Sequence, residues 1–329
     1  MANITDVARL AGVSHQTVSR VINNEDTVRP QTRARVEAAM SELRYRPSSV
    51  ARALATRKTR TIGLISTGNP LYGPSSIALA FNEAAREAGY QVTTASMGKA
   101  TTDTILAAVD VLLRQKVEAL VIVATERLTI QAVNDLDLDV PLVTADSSGL
   151  TVVPSVSIDQ IHGAREATAY LADLGHREIR HVAGPEDSID AVERERGWRF
   201  ELERRGLPVH EPLRGDWTAN RGQEIGDELT ALGGFSAVFV ANDQMALGVL
   251  HSFSGLGIRV PQDVSVIGFD DIPEAAHFSP PLTTMRQDFS ELGSRIMRTV
   301  LAVLDGSEVE HTVTTEPHLV ERESTIRHD

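Results

Sequence analysis

The sequence predicts an α/β protein made of a three-helix helix-turn-helix headpiece, a hinge helix and two doubly wound parallel-sheet lobes. Three observations predict it. The first sixty residues carry helical periodicity and no strand-like run. A short Ala-rich segment behind a Pro-Ser-Ser break separates them from the rest. From Thr61 onward, apolar runs of four to seven residues alternate with helical segments, the texture of parallel sheets covered on both faces.

Ile4 to Asn23, ITDVARLAGVSHQTVSRVIN, reads as two short helices around a sharp turn. Val7, Ala8 and Leu10 supply the apolar face of the first helix. Gly12 stands where the turn needs a positive φ, which glycine adopts at little cost. Ser14 is placed to cap the second helix. Val18, Val21 and Ile22 point that helix inward, leaving His15, Gln16, Ser19, Arg20 and Asn23 outward. Gln16, Arg20 and Asn23 share one face, and Gln and Arg read adenine and guanine edges bidentately. His15, Gln16 and Arg20 are therefore the candidate base-reading residues. Thr5, Ser14, Thr17, Ser19, Asn23, Arg29 and Thr32 are the candidate phosphate contacts, which set position rather than sequence choice. An ordinary helical hairpin with a solvated face would share the spacing, but not all of these features at once.

Pro30 to Tyr45 reads as a third helix, with proline in its first turn and Val36, Ala39, Met40 and Leu43 as its stripe. Val50 to Arg57 covers about two helical turns, too short to hold alone in water. Composition fits a plain linker. Leu54, an apolar side chain in a basic segment, fits a wedge between base steps entered from the minor groove.

Charge divides the same way. Residues 1–60 hold eleven Arg and Lys against five acids, a charge of +6, which leaves −19 for the remainder of a chain whose total is −13. A basic head on an acidic body points to a polyanion partner for the head alone. There is no cysteine, hence no disulfide framework or thiolate metal site. No apolar run approaches the ~20 residues of a membrane span, and the expected location is the cytoplasm. HExxH, GxxxxGK[ST] and GxSxG are absent, so no enzyme class is indicated. His176 and His181 read as turn and strand positions, and no metal or cofactor is expected.

In the body, strands are expected at TIGLIS, YQVTTAS, ALVIVA and PLVTAD, then at SVSID, IRHVAG, LRGDW, AVFVAND and VSVIGFDD, with helices between them. SVSID reads as the opening of the second unit, and LTTMRQDF with the helix after it as a return to the first. The expected boundaries are 1–46 for the headpiece, 47–59 for the hinge and 60–329 for the core. Its first lobe covers about 60–157 and 289–318, and its second about 158–288 and 319–329. Ligands of open α/β sheets sit beyond the carboxyl ends of strands. Asp146, Asn242 and Asp270 end strands there, Arg194 lies on the helix after VAGP, Trp217 follows LRGDW, and Gln287 marks the crossover. Each alone reads equally well as a cap, a solvated charge or core filler. Together around one cleft they suit a sugar, whose paired hydroxyls engage Asp and Arg and whose apolar face packs on an indole.

TDVARLAGVSHQTVSRVIN, VEAAMSELRYRP, PSSVARALA, VAGP, GDW, VANDQMALG and PPLTTMRQDF together resemble the lac repressor family (LacI/GalR transcription regulators), across essentially the whole chain. The cleft motifs are most similar to those of the family's namesake. The resemblance implies a core of the periplasmic-binding-protein-like type and a homodimer on a pseudo-palindromic operator. It also implies a small effector, usually a sugar, between the lobes. It places Asp146, Arg194, Trp217, Asn242, Asp270 and Gln287 at galactoside-contacting positions, with Leu71, Pro74, Ile77 and Phe289 on the apolar side. Several residues depart from the pattern. His15 replaces a tyrosine of the reading pair, Thr67 a serine beside the sugar, and Val192 and Glu193 the neighbours of Arg194. The leucine-heptad tail is absent after Asp329, so a dimer is expected rather than a tetramer. A purine or a protein co-repressor as the signal stays open, as does the direction of the effector's action. A sugar-transport protein would need a secretory signal and no basic head.

Overall fold

Asn3 opens the first helix. Its side chain accepts from the backbone of Thr5 and Asp6, while Asp6 reaches back to the Asn3 N–H at 3.0 Å, a reciprocal cap that satisfies orphan donors of the first turn. In this computed structural model, residues 2–22, 27–45, 58–67, 71–98 and 100–328 are described. Asn23, Leu54 and the 50–57 hinge lie outside them. The chain forms two units, Met1–Arg60 and Thr61–Asp329.

The first unit holds α1 (Ile4–Ala11), α2 (His15–Ile22) and α3 (Pro30–Glu42). Gly12 ends α1 at φ +63°, and Ser14 Oγ accepts from the Thr17 N–H at 3.2 Å to start α2. Val7, Ala8, Ala11, Val18, Val21, Val36 and Ala39 make the core. Leu10 is not part of it. It is 46 % exposed, and Ala11 takes the inward position. At 3.6 residues per turn, Ile4, Val7, Ala8 and Ala11 cover one arc about 100° wide, and Leu10 lies about 110° from its centre.

The second unit has two six-stranded sheets. The first lobe contains β1 (Thr61–Thr67), β2 (Gln91–Met97), β3 (Ala119–Val123), β4 (Leu142–Ala145), β5 (Ser155–Ile158) and β11 (Thr312–Thr315), in the order β11-β5-β4-β3-β1-β2, all parallel. The second contains β6 (Ile179–Ala183), β7 (Leu213–Arg214), β8 (Ala237–Val240), β9 (Ser265–Asp270), β10 (Thr283–Arg286) and β12 (His318–Val320), in the order β12-β10-β9-β8-β6-β7. Only β12 runs antiparallel to its neighbour among these described strands. Helices cover both faces: α4 (Tyr72–Glu87), α5 (Thr102–Arg114), α6 (Arg127–Asn134) and α11 (Phe289–Leu304) on the first sheet, α7 (Gln160–Asp173), α8 (Ile189–Arg205), α9 (Ala219–Leu232) and α10 (Asp243–Gly255) on the second. β3 is buried along its whole length, which is why ALVIV shows no alternation.

Three expectations are corrected. SVSI is β5, the last strand before the first crossover, and pairs with β4 in the first sheet. LTTMR stays in the second sheet beside β9, so the return to the first lobe begins only at Gln287. LRGDW supplies a two-residue strand, and the next residue, Gly215, is packed so closely that a Cβ there would come within 2.2 Å of Met245 Sδ. For SVSI the local pattern identified the strand, while its sheet was decided by pairing with β4. The described chain passes between the sheets at 158–160, 286–289 and 315–318. These crossovers pack tightly: a Cβ on Gly163 would come within 2.5 Å of Pro317 and 2.9 Å of Phe269.

Candidate effector cleft and DNA-reading helix

The carboxyl ends of the strands face a cavity of about 320 Å³ between the lobes of the second unit, within the range of small-molecule sites. A smaller one of about 40 Å³ shares Gly73, Pro74, Thr125, Asp190 and Arg194 with it. Leu71, Trp217, Asn242 and Asp270 line the larger cavity. Ile77, Asp146, Gln287 and Phe289 line the smaller, and Pro74 and Arg194 line both.

Arg194 organises the floor. It sits in the second turn of α8, 4 % exposed. Its Nε donates to Gln160 Oε1 at 2.8 Å and its Nη1 donates to the Ala241 carbonyl. Its Nη2 stands 3.6 Å from Asp270 Oδ1, and the guanidinium lies 3.9 Å from the centre of the Phe269 ring. Gln160 Nε2 then donates to Gln287 Oε1 at 3.1 Å, and Gln287 Nε2 donates to Asp270 Oδ1 at 2.6 Å. Arg194, Gln160, Gln287 and Asp270 thus close a buried ring.

Asp270 ends β9 at φ +114°, a conformation that non-glycine residues hold only where the surroundings impose it. Burial pushes its carboxyl up to about 6, against the opposing pull of Arg194. Behind it, Asp243 accepts from Thr284 Oγ1 at 2.7 Å and from the Ile272 N–H at 2.9 Å. Burial, then the charge of Asp270, holds the Asp243 carboxyl well above the usual range. Asp146 ends the first-lobe wall. Ser148 engages both of its oxygens, through its N–H at 2.8 Å and its hydroxyl at 2.9 Å, and burial raises this carboxyl too.

Trp217 is held by its backbone. It lies at φ +73°, and Asn242 Nδ2 donates to its carbonyl at 3.1 Å. The Asn242 amide oxygen meanwhile caps α10 through the Met245 N–H at 3.0 Å. One asparagine therefore fixes both a helix start and the indole. Gly184 makes room for the ring: a Cβ there would come within 2.4 Å of it.

The lobes also touch across the cleft. Ser147 Oγ donates to Asp190 Oδ1 at 2.5 Å. The Ile189 N–H donates to the Thr125 carbonyl at 3.0 Å, and the Arg127 N–H to the Asp187 carbonyl at 3.2 Å. Tyr72, from the first lobe, packs on the apolar cluster of the second and edge-on to Phe289, with ring centres 5.7 Å apart.

In the first unit, His15, Gln16 and Arg20 lie on the exposed side of α2, with Thr17 and Ser19 partly covered. Ser14 and Thr17 also pair through their hydroxyls at 2.9 Å. Thr5 and Arg29 are exposed and Thr32 is half-buried.

The family described as bacterial regulatory proteins, lacI family, matches residues 3–48, and the periplasmic binding protein-like domain matches residues 168–325. The lactose operon repressor of Escherichia coli (strain K12) is 36 % identical over 323 residues, covering 98 % of this chain and 90 % of that protein. The chain belongs to the lacI family of regulatory proteins. A lac repressor dimer bound to operator and the anti-inducer ONPF superposes with a TM-score of 0.89 at 35 % identity, covering 99 % of both chains. The regulator CelR in complex with cellobiose gives 0.72 at 32 % identity, covering 98 % of this chain and all of that one. This lacI-family protein is thus a DNA-binding transcriptional regulator with a periplasmic-binding-protein-like core. No described helix is long and apolar enough to cross a membrane.

Sequence reasoning missed Gln160, Asp190 and Ser147. Gln160 was hidden because SVSID read as the start of a lobe. Placed at the end of the first sheet, its strand-end position carries the same signal as Asp146. Asp190 was findable: it stands four residues before Arg194, on the same helix face.

Proposed function

We propose that this lacI-family protein is a cytoplasmic homodimeric repressor whose affinity for a pseudo-palindromic operator falls when a small, galactoside-like sugar fills the cleft. The observation that carries this reading is the buried ring of Arg194, Gln160, Gln287 and Asp270 beside Trp217. It offers charged bidentate partners for hydroxyl pairs and an indole face for the apolar side of a pyranose. Support also comes from the cellobiose complex of CelR and from the operator-bound lac repressor dimer.

In this reading His15, Gln16 and Arg20 read base edges. Thr5, Ser14, Thr17, Ser19, Asn23, Arg29 and Thr32 hold phosphates, and Leu54 opens a central step. The ligand binds between lobes whose crossovers carry Gln160 and Gln287, so filling the cleft changes the preferred lobe angle. Such couplings amount to ~1–3 kcal/mol.

Isothermal titration with galactosides, glucosides and purines tests the ligand class. A galactoside that binds the wild-type protein and loses at least about tenfold in affinity to Asp270→Asn supports the reading. A purine that binds while every sugar fails contradicts it.

A further inference from the structure

We infer that the cleft selects its effector by charge, with Asp190 as a specificity-determining residue: it takes a sugar bearing an ammonium or only hydroxyl donors, and rejects an anionic one. The inference rests on the sugar reading of the cleft and adds the sign of charge that the sugar carries.

Among the described residues, Glu126, Asp187, Asp190, Asp216 and Asp270 line the larger cavity, and Arg194 is its single cation. The charge of Arg194 is already met by Asp270, and two of its donors by Gln160 and Ala241. A phosphate or carboxylate on the ligand would find no uncompensated cation there. It would meet instead the carboxylate of Asp190, which lines both cavities, and those of the exposed Asp187 and Asp216. Donors are welcome instead. Asp270 is 94 % buried, given its 6 % exposure, and its Oδ2 has no hydrogen-bond partner among the described residues. Ser147 occupies one oxygen of Asp190, and the other is unmatched in the same way. Asp190 lines both cavities, in the first turn of the helix that carries Arg194. Its carboxylate is therefore placed where a ring substituent between the lobes would meet it. Phosphorylated and uronic sugars are the excluded class, and aminosugars the class this wall favours most.

Titration of galactosamine, galactose, galacturonate and galactose 6-phosphate into the full-length protein tests this at constant ionic strength and pH 7. The expected order of affinity is galactosamine at or above galactose, with both anions weaker than galactose by about tenfold or more. In Asp190→Asn, which keeps the shape and an acceptor for Ser147, the spread between cation and anion should narrow by about tenfold. An anion that binds wild type as tightly as galactose overturns the inference and leaves the sugar reading standing. An unchanged spread in Asp190→Asn overturns the role of Asp190. Failure of all four sugars, together with every other neutral sugar tried, contradicts the sugar reading itself. The wild-type order decides the charge selection even if the variant does not fold.

Discussion

Gln160 donates its side-chain amide to Gln287 across 3.1 Å, and the two residues stand on two different crossovers between the lobes. Gln160 follows β5 and Gln287 follows β10. The contact within the cleft is therefore also a contact between two of the segments that join the lobes. A ligand that pulls on Arg194 or Asp270 pulls on the hinge through one further hydrogen bond.

Removing one member of the ring leaves the others buried and unmatched. Gln160→Leu should cost about 1–3 kcal/mol of stability, the penalty of stranded buried polar groups. It should also weaken ligand binding. Chemical denaturation and calorimetric titration of the same preparation check both.

Arg194→Ala should destabilise by about 3–5 kcal/mol, because it strands the Asp270 carboxylate. Asp270 escapes part of that cost by taking a proton, so the variant should lose less at pH 5.5 than at pH 7.5. Arg194→Ala combined with Asp270→Asn should be more stable at pH 7.5 than Arg194→Ala alone. A double-mutant cycle by urea unfolding reads the difference.

Gly184→Ala places a methyl group where the Trp217 ring now lies, and the tryptophan cannot stay. Operator binding without ligand should survive, since the change lies far along the chain from the headpiece. Sugar affinity should fall by about tenfold or more, a loss of at least ~1.4 kcal/mol. Anisotropy on operator DNA and sugar titration separate the two effects.

Acid should unfold the core through its buried imidazoles. Burial depresses His176 to about 4 and His181 to about 3. Their unfolded value is near 6.5, so below that pH the unfolded chain binds protons that the folded one refuses. Their contribution is fully present above 6.5 and is lost as pH falls toward 4 and 3, on the order of 1–2 kcal/mol each by pH 5. Asp270 works in the opposite direction. Its folded value of about 6 exceeds the ordinary carboxylate value of 3.8, so its contribution grows as pH falls through that window. Asp270→Asn should therefore steepen the loss of Tm between pH 6 and 4, and His176→Gln should flatten it. Thermal melts across pH 4–8 check both slopes.

Much of this was legible in the sequence, for identifiable reasons. Gly12, Ser14 and Pro30 act through local backbone chemistry, and each does in the structure what its residue type dictates. Asp146, Asn242 and Asp270 could be placed at one cleft because strand ends of parallel sheets share a side. What escaped depended on partners distant in sequence. Leu10 is the exception, since the 3.6-residue period alone puts Ala11 rather than Leu10 on the arc of Ile4, Val7 and Ala8. β5 was read as a strand, but its sheet was decided by β4, and the segment of β10 was read as a return to the first lobe although it pairs with β9. The Asp190 contact to Ser147 joins residues 43 positions apart, and nothing local announces it.

Arg20→Ala should cost on the order of 1–3 kcal/mol on the preferred site and relax the choice of one base. Equal losses on cognate and random duplexes would remove Arg20 from the reading residues. Competition titrations at fixed salt distinguish the outcomes.

The central claim is that filling the cleft of the second unit sets the operator affinity of the first. Fluorescence anisotropy tests it most directly, with the full-length protein, a labelled pseudo-palindromic duplex from its own upstream region and constant salt. A saturating galactoside should weaken binding by about 5–150-fold for the wild-type protein and leave Asp270→Asn unmoved. Operator affinity unchanged by a sugar that demonstrably occupies the cleft would contradict the account.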